Sequence, residues 1–251
     1  ATLSKNHQEV TWVNKLKKNY SLLEQGFQKM LADEEVMSLY DIPAFSPVVN
    51  ENKYCSCNAY TPPYTISNET ECAPVFEYLL RYFKGSYEDK RIYYPYLSED
   101  NIFVGSYSCH PLSLSDGTYM YFYFGKEDRS SACATIKSLG GNMCKRIASV
   151  YIDVTGKRGA NTWGKDMYAF AISDDGKLYP FYGKEDALYY EQEPLDNNLM
   201  YWRTLKYRCG DPNSGDMTEV DGDGCAARII ENGWKIDYLS KKTPKRGHGH
   251  Y

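Results

Sequence analysis

The chain has 251 residues, of which 42% are hydrophobic and 25% are charged, and its formal net charge is −4. These proportions are typical of a folded globular protein and exclude a disordered chain. A duplex-binding protein needs a basic face, and the sequence has no long basic block, so nucleic acid is not an expected partner. No stretch approaches 18 consecutive apolar residues, so no membrane-spanning helix is predicted within the sequence as given.

The first predicted element is a long amphipathic helix from Thr2 to about Ser38. Its apolar residues recur at steps of three and four, which places them on one stripe of a helix: Val10, Val13, Leu16, Tyr20, Leu23, Phe27, Met30 and Leu31. A helix of about 35 residues is about 50 Å long. We therefore expect its first turns to project or pack weakly, while Tyr20, Leu23 and Phe27 lie against a sheet.

A helix and a series of strands are predicted next. Prolines break any regular period over residues 41–71, which predicts a loop, and apolar spacing then predicts a helix over Cys72–Phe83. Short segments rich in aromatic and β-branched residues predict strands, over Ile102–Tyr107, Thr118–Phe124, Ala132–Ile136, Ala148–Val154 and Met167–Ser173. Turns such as Asp116-Gly117 and Asp175-Gly176 connect successive strands, which favours an antiparallel meander.

The residue pattern near the C-terminus predicts a short helix over Cys225–Asn232, which ends at Gly233, and a brief strand over Trp234–Leu239. The residues after that are polar and basic, and we expect them to form a flexible tail. The predicted organisation is therefore an N-terminal helix, a globular α+β head and a tail, over residues 1–38, 39–240 and 241–251.

Eight cysteines are scattered along the chain: Cys55, Cys57, Cys72, Cys109, Cys133, Cys144, Cys209 and Cys225. Zinc sites need paired ligands and only one tight Cys-x-Cys pair is present, so disulfides are favoured over metal. We expect Cys209 to pair with Cys225 and Cys133 with Cys144, and the other four to pair among themselves in an open connectivity. Oxidised cysteines indicate an exported protein whose export signal has been removed or lies upstream.

No enzyme is predicted from the motifs. The sequence has no G-x-S-x-G, P-loop, dinucleotide-binding glycine pattern, H-E-x-x-H or C-x-x-C. A single histidine near a structured region, His110, is more often a turn residue than a general base. The 25 tyrosines suit half-buried strands, interfaces and sugar-facing surfaces alike. A secreted carbohydrate-binding module, or a glycosidase with two carboxylates, is therefore the alternative.

The loop over residues 153–166 is the most specific polar constellation. Its glycines allow a tight path, and Asp153, Asn161 and Asp166 supply the hard oxygen atoms that calcium prefers. The spacing is not that of an EF-hand, and Lys157 and Arg158 lie inside the loop. A metal-free loop held by Asx turns is therefore favoured, with a calcium site as the second hypothesis.

Three stretches of the sequence resemble bacterial type IV pilin-like proteins, a family that includes the type II secretion pseudopilins. The opening, with LSKNHQE at 3–9 and KLKKNYSLL at 15–23, resembles the segment after the membrane-embedded half of the pilin helix. The central match runs from YID at 151–153 through GANTWGKDMYAF at 159–170. The last match is GCAARIIENGWKIDY at 224–238, which resembles the C-terminal end of large pilin-like proteins.

The resemblance implies an α+β fold in which a long N-terminal helix packs on an antiparallel β-sheet, with disulfides and a cysteine-rich loop and helix insertion. It implies a non-enzymatic structural subunit of a type IV pilus or pseudopilus, with an adhesive head as one option. Expected partners are other pilin-like subunits, the inner membrane through an N-terminal segment missing here, and a surface glycan or secreted substrate. The expected location is the cell surface, an extracellular filament or the periplasm.

Three residues near the start of the helix are expected to contact neighbouring subunits. Val10 and Val13 lie on the apolar stripe, and Trp12 lies off it, where it would be an odd exposed residue on a monomer. The helix also starts without a cap at Ala1, which favours a longer helix that continues into a preceding segment.

Overall fold

Helix α1, Thr2–Asp33, is the longest element of the protein, with 32 residues. The structure is a computed structural model that describes residues 2–50, 55–56, 72–88, 92–97, 103–125, 146–158, 161, 163–180, 209 and 224–238. Helix α1 ends before the predicted Ser38, because Glu35 adopts a left-handed φ of 53°. The N–H of Val36 then donates to the carbonyl of Leu31 at 3.0 Å. This is the bond of a Schellman motif, which stops a helix by turning the chain.

Short helices follow α1, so the loop prediction over residues 41–71 is wrong at 43–49. Two 3₁₀ turns, Leu39–Asp41 and Pro43–Phe45, lead into helix α2, Ser46–Val49. Prolines occupy first-turn positions here, where a helix needs no N–H donor. Helix α3, Ala73–Leu79, lies inside the predicted Cys72–Phe83 segment and confirms it.

The main sheet is antiparallel and holds six strands in the order β2-β5-β6-β7-β8-β9. Their bounds are β2 Gly85–Tyr87, β5 Leu112–Leu114, β6 Tyr119–Phe124, β7 Arg146–Asp153, β8 Met167–Ser173 and β9 Leu178–Pro180. A two-residue strand, β1 Cys55–Ser56, adds to β6. A separate antiparallel pair joins β3, Ile92–Leu97, to β4, Phe103–Cys109.

The longer predicted strands are confirmed, and the shortest strands are absent from the sequence prediction. Strands β4, β6, β7 and β8 match predicted segments, whereas β2, β5 and β9 have three residues each and give too little alternation to detect. The predicted strand Ala132–Ile136 lies outside the described residues, as does the tail 241–251. The result is an α+β fold: a long N-terminal helix on a six-stranded antiparallel sheet, with two disulfides.

Helix α1 packs on the sheet through the predicted stripe. Leu23 and Phe27 are fully buried, and the Phe27 ring lies 5.7 Å from that of Phe83 between centroids. Tyr20 is half-buried, with its ring 5.5 Å from that of Phe170 in β8. The helix residues before Val13 that the structure describes with side chains, 7–12, are exposed or half-buried. The predicted packing of Tyr20, Leu23 and Phe27 is therefore confirmed, while the projection of the first turns stays a prediction.

The C-terminal segment is clamped by a buried arginine. Helix α4, Cys225–Glu231, places Arg228 fully inside the protein. Its guanidinium donates to both carboxylate oxygens of Asp237, at 2.7 and 3.0 Å, and to the carbonyl of Cys209 at 2.7 Å. The Tyr238 ring covers the guanidinium, with its centroid 5.2 Å away. The C-terminal segment is thereby tied to the chain at Cys209.

The predicted strand after α4 is wrong over its described residues. Gly233 ends the helix as predicted, with a φ of 68°, but Trp234 also has a positive φ of 63°. Its N–H donates back to the carbonyl of Ile229 at 2.8 Å. Residues 234–238 therefore leave the helix in a turn and pair with no strand of the described sheet.

Candidate functional site

The loop that contains the three predicted metal ligands connects the two central strands β7 and β8. Asp153 is the last residue of β7, and Asp166 immediately precedes β8. The N–H of Val154 donates to the carbonyl of Asp166 at 2.8 Å, which closes the base of the loop. Because antiparallel strands bring their connected ends together, the two carboxylates lie at the same end of the β7–β8 hairpin.

Asp153 is fully buried and organises the start of the loop. Its Oδ1 atom accepts hydrogen bonds from the N–H groups of Thr155 and Gly156, at 2.9 and 2.8 Å. Gly156 has a φ of 53°, and a Cβ there would collide with the carbonyl oxygen of Gly117. The predicted Asx turn is therefore present, and its position requires glycine.

One hydroxyl group joins the two carboxylates. Thr155 Oγ1 lies 3.0 Å from Asp153 Oδ1 and 3.1 Å from Asp166 Oδ2. Asp166 is also buried, with 4% of its surface exposed. A hydroxyl has one hydrogen and can donate to only one of the two oxygens. The structure therefore brings Asp153 and Asp166 together around one shared hydroxyl group.

The electrostatics of the pair follow from this burial. Burial raises the pKa of Asp153 to about 7, with the charge of Asp166 adding to the rise and the N–H groups of Thr155 and Gly156 opposing it. Burial also raises the pKa of Tyr121, and the charge of Asp153 contributes in the same direction. The site thus disfavours the charged form of the Asp153 carboxyl group.

Two of the three basic residues in the loop, Lys157 and Arg158, are exposed. The Lys157 ammonium pairs with Glu88 Oε2 at 2.8 Å, and its side chain is 67% exposed. Lys15 of helix α1 also lies near the loop. Its ammonium donates to the main-chain oxygens of Val154 and Asp116, both at 3.0 Å, and not to either carboxylate. The structure thus pairs Lys157 with Glu88 outside the loop, and the choice between a metal-free loop and a calcium site stays a prediction.

Asn161 lies in the same loop but makes no hydrogen bond to either carboxylate. It is 8% exposed and has a left-handed φ of 54°. Its Oδ1 atom is buried and accepts no hydrogen bond from the described residues. No group of three or more His, Cys, Asp or Glu side chains that could hold a metal occurs in the described ranges. A cation here would therefore need amide or main-chain oxygens beside the two carboxylates.

A polar pocket of about 340 Å³ lies beside this loop. Its charged lining residues are Lys15, Glu88, Asp116, Lys157 and Arg158. Partial burial raises the pKa of Glu88, but the hydrogen bonds from Lys157 and Tyr119 lower it further, so this pKa lies below its ordinary value. Burial also raises the pKa of Asp116, but hydrogen bonds from Lys18 and Thr118 bring it below its ordinary value. Neither carboxyl group has the raised pKa that a general acid needs.

The three residues predicted to contact other subunits differ in exposure. Val10 is 57% exposed, and Trp12 is partly buried against the core. Val13 is 6% exposed and belongs to the core, so it offers no surface to a partner while the domain is folded. The other exposed large apolar residue in the described chain is Met37, 89% exposed, just after the opposite end of α1.

Two disulfides are formed among the described residues, Cys55–Cys72 and Cys209–Cys225. The second confirms a predicted pair, and the first joins two of the four cysteines whose connectivity was open. The predicted Cys133–Cys144 bond lies outside the described residues, as does the pairing of Cys57 and Cys109. Two disulfides indicate an oxidising, extracytoplasmic location.

The long helix packed on an antiparallel sheet defines a pilin-like α+β topology. In the part of the chain that the structure describes, no helix combines the length and apolarity needed to cross a membrane. The chain matches no protein-family model, no curated protein and no solved structure.

Proposed function

We propose that this protein is a non-enzymatic structural subunit of an extracellular or periplasm-spanning filament, of the type IV pilus or type II secretion pseudopilus kind. The observation that carries the proposal is the uneven burial of α1. From Val13 onward its apolar side chains enter the core, whereas Val10 is 57% exposed one turn earlier. The helix thus presents apolar surface that its own domain does not cover.

A helix-bundling subunit needs this division of one helix into two roles. The half that packs on the sheet fixes the direction of the helix, and the other half is free to contact helices of neighbouring subunits. A 32-residue helix is about 48 Å long, which is long enough to serve both roles. The partners in this proposal are other pilin-like subunits, and the contact includes Val10 and the exposed part of Trp12.

The remaining features support an exported structural protein. Two disulfides suit a cell-surface or periplasmic filament, where reduction by the cytosolic thiol pool does not occur. The pocket carboxylates Glu88 and Asp116 are each paired with a lysine. That arrangement suits a solvated surface better than a glycosidase pair, so we do not pursue the carbohydrate alternative.

The test is to place a charge on the exposed part of α1 in the complete gene product, expressed in its native cell. We expect Val10→Asp to abolish or strongly reduce surface filaments, because an unpaired charge is costly to bury in a helix bundle. The melting temperature of the purified 251-residue chain should change by less than about 2 °C, since the residue is exposed in the domain.

Two variants of the same helix serve as controls. Ser21→Asp adds the same charge at an exposed position about three turns further along the helix, on the part that packs on the sheet, and should leave filament yield unchanged. Leu16→Asp adds it at a fully buried position and should unfold the domain. Normal filaments from Val10→Asp, or a loss of folding equal to that of Leu16→Asp, would show that this end of the helix has no assembly role.

A further inference from the structure

The polar pocket beside the β7–β8 loop contains a half-buried ammonium group that has no carboxylate partner among the described residues. Lys15 Nζ donates to the main-chain oxygens of Val154 and Asp116, both at 3.0 Å. An ammonium group has three N–H donors, so these two bonds leave one donor for a ligand. A charge that is partly removed from water is costly unless an opposite charge compensates it. This lysine therefore favours an anion in the pocket.

A second cation without a carboxylate partner lines the same pocket. Arg158 is exposed, and its side chain forms no hydrogen bond or ion pair with the described part of the chain. A guanidinium presents a planar fork of donors that can bind both oxygens of one carboxylate. Lys157 adds an ammonium group that is 67% exposed and pairs with Glu88 Oε2 at 2.8 Å. The donors on this side of the pocket therefore suit a carboxylate ligand.

Two carboxylates on the pocket wall limit the charge of that ligand. Glu88 accepts from Lys157 and from the Tyr119 hydroxyl, and Asp116 accepts from Lys18. Both pKa values lie below their ordinary values, so both groups are charged at neutral pH. They repel a second negative charge on a ligand. A carboxylate has about four acceptor positions, so each can also accept a hydrogen bond from a ligand hydroxyl group.

The remaining lining residues are hydrophilic as well. Ser113, Ser115 and Thr155 contribute hydroxyl groups, and every lining residue is polar, charged or glycine. The buried Asp153 and Asp166 share the Thr155 hydroxyl but do not line the pocket. Their position next to Thr155 is a further reason against a ligand with more than one negative charge. The lining therefore suits a hydroxylated ligand and not an apolar one.

We propose that this pocket binds a small monocarboxylate that also carries hydroxyl groups. The carboxylate binds to the Lys15 ammonium and the Arg158 guanidinium, and the ligand hydroxyls donate to Glu88 and Asp116. The volume of about 340 Å³ lies at the lower end of the range for small-molecule sites. Binding requires no general acid, so it agrees with the lowered pKa values that oppose a glycosidase role. The inference does not depend on the filament proposal.

The experiment is an NMR titration of the isotopically labelled 251-residue chain with sodium D-glucuronate. We expect saturable shifts of the Gly117 and Thr155 amide signals, with a dissociation constant of about 1 mM for a ligand of this size. Acetate lacks the hydroxyl groups and D-glucose lacks the charge, so each should bind about tenfold more weakly. Inorganic phosphate should also bind more weakly, because Glu88 and Asp116 repel its second charge.

Arg158→Gln tests the guanidinium, and Arg81→Gln is the matched control. Because the Arg158 side chain is exposed and has no described partner, the variant should fold normally and bind glucuronate about tenfold more weakly. Arg81 is also exposed, but it lies over the Tyr78 ring and does not line the pocket. Its substitution should leave the affinity for glucuronate unchanged.

Lys15→Met keeps the apolar stem of the side chain, removes the ammonium group and should abolish binding. Its melting temperature is measured as well, because the main-chain oxygens of Val154 and Asp116 lose a donor. If Lys15→Met does not fold, Arg158→Gln carries the test alone. The proposal would be overturned by no saturable shift at about 20 mM glucuronate, or by unchanged affinity in folded Arg158→Gln. Equal or tighter binding of acetate, glucose or phosphate would also overturn it.

Discussion

The two halves of helix α1 have the same secondary structure and opposite relations to the domain. Residues 7–12 are exposed or half-buried, whereas Leu23, Phe27 and Met30 are fully buried on the sheet. The apolar stripe runs through both parts of the helix, but only its later part is buried in the core. The comparison teaches that periodicity identifies a helix face, while only the length of the sheet beneath it decides how much of that face is covered.

The largest effect is expected from Phe27→Ala, which removes a fully buried ring in the packed half. Its ring contacts Phe83, and the cavity left behind cannot collapse easily beneath a helix. We expect a loss of about 3–5 kcal/mol in the free energy of unfolding, measured by urea denaturation. Gln25→Ala, at a neighbouring exposed position, should change it by less than about 0.5 kcal/mol. A small loss from Phe27→Ala would mean that this half is not core.

A smaller effect is expected from Tyr20→Phe, within the part of the helix that packs on the sheet. The Tyr20 hydroxyl lies 2.9 Å from Glu24 Oε1 and 3.1 Å from the carbonyl oxygen of Leu178 in β9. Removing it should cost about 0.5–1.5 kcal/mol. Tyr20→Leu also removes the ring contacts with Phe170 and Trp234 and should cost more. Equal stability of the two variants would assign the whole contribution to the hydroxyl.

The smallest effect on stability is expected from Val10→Ala in the uncovered half. Because 57% of Val10 is exposed, its truncation should change the unfolding free energy by less than about 0.5 kcal/mol. Val13→Ala, one helical turn later and buried, provides the comparison and should cost clearly more. If both variants lose the same stability, then the helix is covered along its whole length and the contrast between its halves fails.

The sequence predicts those elements that carry a long regular signal. Helix α1 and strands β6, β7 and β8 have enough residues for their periods to be read, and Cys209–Cys225 brackets a turn-rich segment of suitable length. Strands β2, β5 and β9 are defined by their neighbours and not by alternation of their own. Trp234 adopts a left-handed φ through tertiary contacts, which residue type does not predict.

The candidate calcium loop is predictable in position but not in detail. Its acidic and amide residues are visible in the sequence, because Asp153, Asn161 and Asp166 flank glycines in one connection. The ion pair of Lys157 is not visible in the sequence, since its partner Glu88 lies far away along the chain. Nor does spacing reveal that Asp153 Oδ2 is buried without a hydrogen bond. Such facts depend on packing between distant segments and require coordinates.

The Arg228 clamp makes the stability of the domain depend on the last two described residues, Asp237 and Tyr238. Its buried guanidinium finds its carboxylate at Asp237 and its aromatic cover at Tyr238, both at the end of the described segment. A chain truncated after Ile236 would keep helix α4 and the Cys209–Cys225 disulfide, but the buried Arg228 guanidinium would lose the Asp237 carboxylate and the Tyr238 ring. We therefore expect truncation after Ile236 to destabilise the folded chain, because it removes both this ion pair and the buried Tyr238 ring.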